Sequence, residues 1–195
     1  MKKVALTGNM GSGKSLVTEI FQSMGIPVFQ ADVAGHEALN EPEIIRQLRK
    51  RWGSQVLHPY TNQPNRKTIA TIVFNDEDEL LFLNELIHPI VRQYFENWYL
   101  KYTDQPYVIH EAAILFESGF HTQFDKIIFV SAPSTLRIQR VMQRDGVEAE
   151  DIIARMNRQW PEEMKIPLAD YIIKNDEQQP LIPQVVRIHE LLSQK

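Results

Sequence analysis

Residues 8–15 read GNMGSGKS and match the pattern G-x-x-x-x-G-K-[ST] at every fixed position. Before them, residues 4–7 (VALT) predict a short buried strand, and after them apolar residues recur at helical spacing over 16–24, until Gly25. A glycine-rich loop between a strand and a helix is the setting in which this pattern binds phosphate. The chain is therefore predicted to begin with a strand, a phosphate loop and a helix.

The loop residues have distinct expected roles. Gly8, Gly11 and Gly13 permit backbone angles and close approaches that a Cβ atom forbids, so backbone N–H groups can surround an anion. Lys14 can place its charge on the β- and γ-phosphates, and the hydroxyl of Ser15 can ligate Mg²⁺. The motif therefore indicates ATP or GTP bound with magnesium.

The following residues predict a parallel sheet and then a helical insertion. Residues 26–29 predict a second strand, which makes a β-α-β unit with the first. Residues 34–102 show only helical patterns, and Pro89 is expected to break or kink the helical run over 80–102. Strand and helix patterns then alternate again, which predicts that the α/β core resumes after the insertion.

These later patterns complete a three-layer α/β fold with a mainly parallel sheet. The predicted strands are 107–109, 126–131 and 171–173, and the predicted helices are 135–144, 149–160 and 180–192.

Composition excludes several classes of protein. A formal charge of −4 argues against an extended nucleic-acid-binding face, because such faces need clustered, uncompensated Lys and Arg. The chain has no cysteine, which excludes disulfides, thiolate metal sites and a cysteine nucleophile. No apolar stretch approaches the length of a membrane span. We expect a cytoplasmic protein that binds a small anionic ligand.

Two carboxylates follow predicted strands, where ligands bind in open parallel sheets. Asp32 is a candidate general base that would accept the proton of an attacking hydroxyl; the alternative is an N-cap for the next helix. Glu111 is a candidate for holding Mg²⁺ through water; the alternative is an exposed surface carboxylate.

Three arginines share one face of a predicted helix. Arg137, Arg140 and Arg144 are spaced i, i+3 and i+7, which suits guanidinium contacts with the oxygens of a transferred phosphate. The alternative is an exposed helix pair with salt bridges, since acidic residues are equally frequent around them.

Two classes of function fit a phosphate loop: a phosphotransferase, and a nucleotide-gated switch. The guanine-reading sequence Asn-Lys-x-Asp is absent, which disfavours a GTPase switch. The residues thus favour a kinase.

Further segments resemble the dephospho-coenzyme A kinases over nearly the whole chain. The matching segments are VALTG at 4–8, GSGKS at 11–15, AD at 31–32, Arg66 before IVF at 72–74, HP at 88–89, ILFE at 114–117, Arg137, Arg140 and Arg144, Gln159, and ADYIIKN at 169–175. Family members usually carry Asp, Thr and Pro where this chain has Gln30, Leu16 and Ala113, but these differences remove no phosphate-binding group.

The resemblance implies a P-loop, nucleoside-monophosphate-kinase-like fold. It implies ATP-dependent phosphorylation of the ribose 3′-hydroxyl of dephospho-coenzyme A, which gives coenzyme A and ADP. Residues 1–33, 103–133 and 166–195 would form the nucleotide-binding core, 34–102 a helical acceptor-binding domain, and 134–165 a small lid. Another nucleotide or small-molecule kinase, and a non-catalytic ATP-binding regulatory module, remain the alternatives.

The residue patterns and the resemblance together assign residues to roles. Catalysis falls to Asp32, Lys14 and Arg140, and Ser15 and Glu111 are the predicted metal ligands. The predicted nucleotide-binding residues are Gly8, Gly11, Ser12, Gly13, Lys14, Ser15, Leu16, Arg144 and Asn175. The predicted acceptor-binding residues are Asp32, Arg66, His88, Leu115 and Arg137.

Overall fold

In the computed structural model, which describes residues 1–194, five strands form one parallel sheet. The strands are β1 (Lys2–Thr7), β2 (Val28–Gln30), β3 (Tyr107–Glu111), β4 (Lys126–Ser131) and β5 (Tyr171–Lys174). Their order across the sheet is β2-β3-β1-β4-β5. Because β1 lies between β3 and β4, its carboxyl end is at the edge where parallel α/β sheets bind ligands. The predicted α/β fold with a mainly parallel sheet is confirmed.

The helices alternate with these strands and also fill the segment between β2 and β3. The α-helices are α1 (Lys14–Ser23), α2 (Ala31–Ala38), α3 (Pro42–Trp52), α4 (Arg66–Asn75), α5 (Glu77–Tyr99), α6 (Ser134–Asp145), α7 (Ala149–Met156), α8 (Glu162–Lys165) and α9 (Leu181–Ser193). Two compact units result. One contains Met1–Gln30 and the chain from Tyr99 onward, and the other is Ala31–Trp98.

The core of the sheet unit is built from strands that are apolar on both faces. Val4–Leu6 of β1 and Ile128–Val130 of β4 are each 0% exposed, as expected when helices cover both sides of a parallel sheet. From α1, Phe21 packs edge-on against Tyr107 of β3, with ring centroids 6.5 Å apart. α9 adds Ile188 to the same buried cluster. This packing holds α1, and therefore the loop before it, against the sheet.

Local signals define the helices of the second unit. α3 ends at Gly53, whose φ of +76° suits glycine. α4 begins after Asn65, whose side chain accepts a hydrogen bond from the N–H of Thr68. The side chain of Asp76 accepts hydrogen bonds in the same way at the start of α5. The unit also has one isolated antiparallel bridge in the loop before α4.

Three sequence expectations need correction. The helical run is not broken at Pro89: α5 buries Ile87 and Val91 on either side and tolerates the loss of one backbone hydrogen bond, and the expected kink stays a prediction. The predicted helix over 149–160 ends at Met156, because within 149–156 its buried residue is Ile152 alone, and Gln159 and Trp160 instead bond to the phosphate loop. The second strand, β2, begins at Val28, two residues after the start of the predicted range 26–29.

Within residues 1–194, no helix has both the length and the apolar character that a membrane span requires.

We predict that Phe21→Ala destabilises the sheet unit by about 3–5 kcal/mol, because it leaves a cavity beneath the helix that follows the phosphate loop. Urea unfolding followed by circular dichroism measures the change. Leu191→Ala is the control: its side chain is 43% exposed on α9, so the expected loss is below about 1 kcal/mol. Equal losses for the two variants would contradict this description of the core.

Candidate active site

The phosphate loop connects the carboxyl end of β1 to the amino end of α1. Gly13 is the N-cap residue of α1 and has no side chain, so the first N–H groups of the helix are available to an anion. The N–H of Ser12 donates to the carbonyl of Asn9, 3.0 Å away, which closes the loop on itself. The predicted order of strand, loop and helix is confirmed.

Two glycines of the loop have backbone angles and surroundings that exclude a side chain. Gly11 has φ +76°, and a Cβ there would lie 2.5 Å from the carbonyl oxygen of Arg137 on α6. Gly13 has φ +90°, and its Cβ would collide with the Asn175 side chain. The loop backbone is therefore in direct contact with α6 and with the segment after β5.

Asn175 is a buried part of the site. It is 8% exposed, and its Nδ2 donates to the carbonyl of Ser12 at 2.8 Å. Its own backbone N–H donates to the Ser131 carbonyl at 2.8 Å, at the end of β4. Asn175 therefore fixes the second half of the loop to the carboxyl edge of the sheet.

The cations of the site are held close to the loop. Lys14 Nζ donates to the carbonyl of Gly8 at 3.1 Å. Arg140 Nη2 donates to the Asn175 carbonyl at 3.2 Å and to Glu177 Oε1 at 3.0 Å. Together with residues 11–16, Arg140 and Arg144 line a cleft of about 360 Å³. The structure thus brings two of the three predicted arginines to the phosphate loop.

The three arginines have different surroundings. Arg144 is paired with its neighbour Asp145, which lowers the pKa of that carboxyl group. Arg137 is 8% exposed; its Nε donates to the carbonyl of Ala132 at 3.1 Å and lies 3.7 Å from Glu162. Its side chain lies outside that cleft and lines a second cavity, of about 730 Å³, together with Asn9 and Glu162. Its predicted contact with the acceptor stays a prediction.

The two predicted carboxylates lie at the carboxyl ends of their strands. Glu111 is the last residue of β3, in register with Leu6 of β1 and Gln30 of β2. It therefore lies level with the residues that lead into the phosphate loop. Asp32 follows Gln30 by two residues and is an exposed residue in the first turn of α2, not an N-cap.

The remaining predicted acceptor residues differ in accessibility. Arg66 is exposed at the first position of α4, and His88 is half-buried on α5. Burial, together with the charge of Arg92, lowers the pKa of His88, so its ring is neutral at pH 7. Leu115 is only 1% exposed and packs in the interior of the sheet unit. Its role in acceptor binding stays a prediction.

Sequence analysis missed one group at the loop. Lys165 is 0% exposed, and its Nζ lies 2.6 Å from Glu117 Oε1 and donates to Asn9 Oδ1 at 2.9 Å. In the sequence this lysine belongs to a segment of mixed charge that predicts only a solvated surface. No local sequence pattern indicates these contacts, because Glu117 and Asn9 lie far from Lys165 along the chain.

A parallel sheet whose first strand leads through a phosphate loop into α1 defines the P-loop class of α/β nucleotide-binding proteins. Solved structures agree. A Thermus thermophilus protein has a TM-score of 0.87 and 29% identity, covering 97% of this chain and 96% of its own. A shikimate kinase from Bacteroides thetaiotaomicron, at 16% identity and TM-score 0.53, shares the fold alone.

Comparisons of sequence define the family within that class. The family model described as CoaE, dephospho-CoA kinase, matches residues 2–180, so the chain belongs to the dephospho-CoA kinase family. A Bacteroides fragilis dephospho-CoA kinase is 34% identical, covering 99% of this chain and 94% of the relative. The dephospho-CoA kinase of Chlorobaculum tepidum is 40% identical, covering 89% of this chain and 86% of the relative. The solved dephospho-CoA kinase of Campylobacter jejuni has a TM-score of 0.72 at 27% identity, covering 98% of this chain and 96% of its own. The resemblance inferred from the motifs is confirmed.

We predict that Gly11→Ala weakens binding of a nonhydrolysable ATP analogue by about tenfold or more. The new methyl group would collide with the Arg137 carbonyl and displace the loop, and a displacement of about 1 Å is enough to weaken its contacts with phosphate. Isothermal titration calorimetry measures this affinity. Gly25→Ala is the matched control, with φ +82° and nothing in the described chain within 4 Å of the added Cβ. The control should lose about 1–2 kcal/mol of stability and keep its nucleotide affinity. Unchanged affinity in Gly11→Ala would refute the assigned role of the loop.

Proposed function

We propose that this protein transfers the γ-phosphoryl group of ATP to the ribose 3′-hydroxyl of dephospho-coenzyme A. The products are coenzyme A and ADP, in the last step of coenzyme A synthesis. The observation that carries the proposal is the family match over residues 2–180, which spans both compact units and includes the complete phosphate loop. A cytoplasmic location stays a prediction.

The sheet unit supports the nucleotide half of this reaction. Backbone N–H groups of residues 11–16 would bind the β- and γ-phosphates at the amino end of α1. Lys14 would exchange the Gly8 carbonyl for phosphate oxygens. Arg140 Nη1 is buried and has no hydrogen-bond partner within residues 1–194, so this guanidinium has an N–H to offer a phosphate in the same cleft.

Asp32 would act as the general base. Its carboxylate would accept the proton of the 3′-hydroxyl as that oxygen bonds to the γ-phosphorus, and the bond from the γ-phosphorus to the β–γ bridging oxygen would break to release ADP. The placement of Asp32 supports this role, because it immediately follows β2 on an exposed helical turn. Lys14 and Arg140 would balance the charge of the transferred group.

Magnesium fits the oxygen donors at the carboxyl edge of the sheet. Ser15 supplies a hydroxyl at the start of α1, and Glu111 supplies a carboxylate at the end of β3. Mg²⁺ commonly takes one or two protein oxygens and completes its octahedron with phosphate oxygens and water, so this small donor set is sufficient. When bound, the ion would neutralise charge on the β- and γ-phosphates.

The acceptor is assigned to the second unit and the lid. In this proposal the helices of 34–102 bind dephospho-coenzyme A through Arg66 and His88, with Leu115 and Arg137 from the sheet unit. Residues 134–165 would form the lid over ATP, since water must be kept from the γ-phosphate. Gln159 and Lys165, which are bonded to the phosphate loop, would stay in place while the rest of the segment closes. The contacts of Arg137 with Ala132 and Glu162 would then hold the base of the lid.

The acceptor assignment is tested by parallel assays with Mg-ATP. We expect ADP formation with dephospho-coenzyme A, and rates near background with adenosine or a nucleoside monophosphate, as followed by a coupled ADP assay. Phosphorus NMR of the product should show a new 3′-phosphate. Preferred turnover of a different acceptor would replace this proposal with another kinase activity. Binding of nucleotide with no transfer to any acceptor would identify a regulatory module.

We predict that Asp32→Asn lowers kcat by about a hundredfold or more, because an amide cannot accept the hydroxyl proton. The affinity for the ATP analogue should stay the same, since the phosphate loop is unchanged. Rapid-quench kinetics and calorimetry measure the two quantities.

Glu37→Gln removes a carboxylate from the exposed surface of the same helix and should leave kcat unchanged. Turnover of Asp32→Asn at the level of this control would eliminate Asp32 as the base.

A further inference from the structure

The residues that precede and form α8 are bonded to the first half of the phosphate loop. We call residues 159–165 the anchor segment. Gln159 Oε1 accepts the N–H of Met10 at 2.7 Å, and the carbonyl of Trp160 accepts from Asn9 Nδ2 at 3.1 Å. Lys165 Nζ donates to Asn9 Oδ1 at 2.9 Å. Three bonds from one short segment therefore fix two consecutive loop residues.

Lys165 is the one charged member of these contacts and is 0% exposed. A buried ammonium group is tolerated only when paired, and Lys165 lies 2.6 Å from Glu117 Oε1. The same oxygen accepts the N–H of Trp160 at 2.9 Å. Glu117 Oε2 is buried and has no hydrogen-bond partner within residues 1–194, so this carboxylate depends on Lys165 for compensation of its charge.

The ion pair also ties the anchor segment to the residues that follow β3. Gln159 Nε2 donates to the carbonyl of Ala113 at 3.3 Å. Four residues later in the same stretch, Glu117 pairs with Lys165. The anchor segment is thus bonded both to the phosphate loop and to the chain beyond β3. A shift of Lys165 would move Asn9, whose side chain has both of its polar atoms engaged by this segment.

We propose that Lys165 is a positioning residue for phosphoryl transfer, acting through Asn9 to hold the first half of the phosphate loop in its nucleotide-binding shape. Asn9 accepts the N–H of Ser12 through its backbone carbonyl, so the held side chain lies at the residue that closes the loop. Asn175 holds the second half of the loop through Ser12 and Gly13. The two contacts together leave the loop little freedom before the nucleotide arrives. The inference rests on the proposed kinase function.

The test compares Asn9→Ala and Lys165→Met with the wild-type enzyme. Asn9→Ala cuts the link to the loop and leaves the buried Lys165–Glu117 pair intact, so it separates positioning from stability. We expect both variants to lower kcat/KM for ATP by about tenfold or more, because small displacements of a positioned phosphate are costly. Affinity for a nonhydrolysable ATP analogue should fall as well, whereas KM for dephospho-coenzyme A should stay within about twofold.

Lys126→Met is the control for loss of an ion pair away from the loop. Lys126 pairs with Asp170 at the same distance, 2.6 Å, but its side chain is 43% exposed and lies at the amino end of β4, the opposite edge of the sheet from the phosphate loop. The control should change the melting temperature at most and leave KM for ATP unchanged. A purely structural role for Lys165 would give the same pattern in Lys165→Met.

The proposal is overturned when Asn9→Ala keeps kcat/KM for ATP and analogue affinity within about twofold of wild type. If Lys165→Met fails to fold, Asn9→Ala alone decides. Analogue binding needs no acceptor, so this measurement stands even when the wild-type enzyme does not phosphorylate dephospho-coenzyme A. Absence of dephospho-coenzyme A phosphorylation would refute the proposed function. The role of Lys165 would then be decided by the affinity of the variants for the ATP analogue.

Discussion

Contact between backbone atoms sets the shape of the phosphate loop. At Gly8 a Cβ would lie 2.5 Å from the Val130 carbonyl oxygen, and at Gly11 the same distance from that of Arg137. These contacts place β4 on one side of the loop and α6 on another. Since main-chain atoms cannot move aside as flexible side chains do, these contacts restrict the backbone of the loop to a narrow range of conformations. Nucleotide binding depends on this restriction.

Electrostatics of the site follow from the same geometry. Lys14, Arg140 and Arg144 all lie at the loop: Arg140 pairs with Glu177, Arg144 pairs with Asp145, and Lys14 donates to the Gly8 carbonyl. The two arginine pairs are partly solvated, so their carboxylates compete weakly with a phosphate. A polyphosphate would replace all three contacts with charged bonds. These protein partners thus reduce the repulsion among the three cations before a nucleotide binds.

The order of elements was predictable because each is specified by neighbours in sequence. Continuous apolar runs marked β1 and β4, helical spacing marked α1 and α6, and the phosphate-loop pattern identified its own turn. Boundaries were less predictable where tertiary packing competes with local preference. α5 passes through Pro89 because burial on both sides outweighs one missing hydrogen bond, whereas α7, with Ile152 as its buried residue, ends at Met156.

The sequence by itself determined that a phosphate loop joins a strand to a helix, since that motif is local and its chemistry needs only adjacent residues. The family was indicated by further matching segments along nearly the whole chain. Tertiary structure decided which distant groups surround it. Asn175 and Lys165 reach the loop across more than 150 positions of the chain, at |i−j| of 163 and 156. Burial made Lys165, an ordinary lysine by pattern, a paired charge bonded to Asn9. Tertiary packing also placed Arg137 in a different cavity from Arg140 and Arg144, although all three share one face of the predicted helix. Such outcomes depend on how the sheet brings strand ends together, which no local pattern encodes.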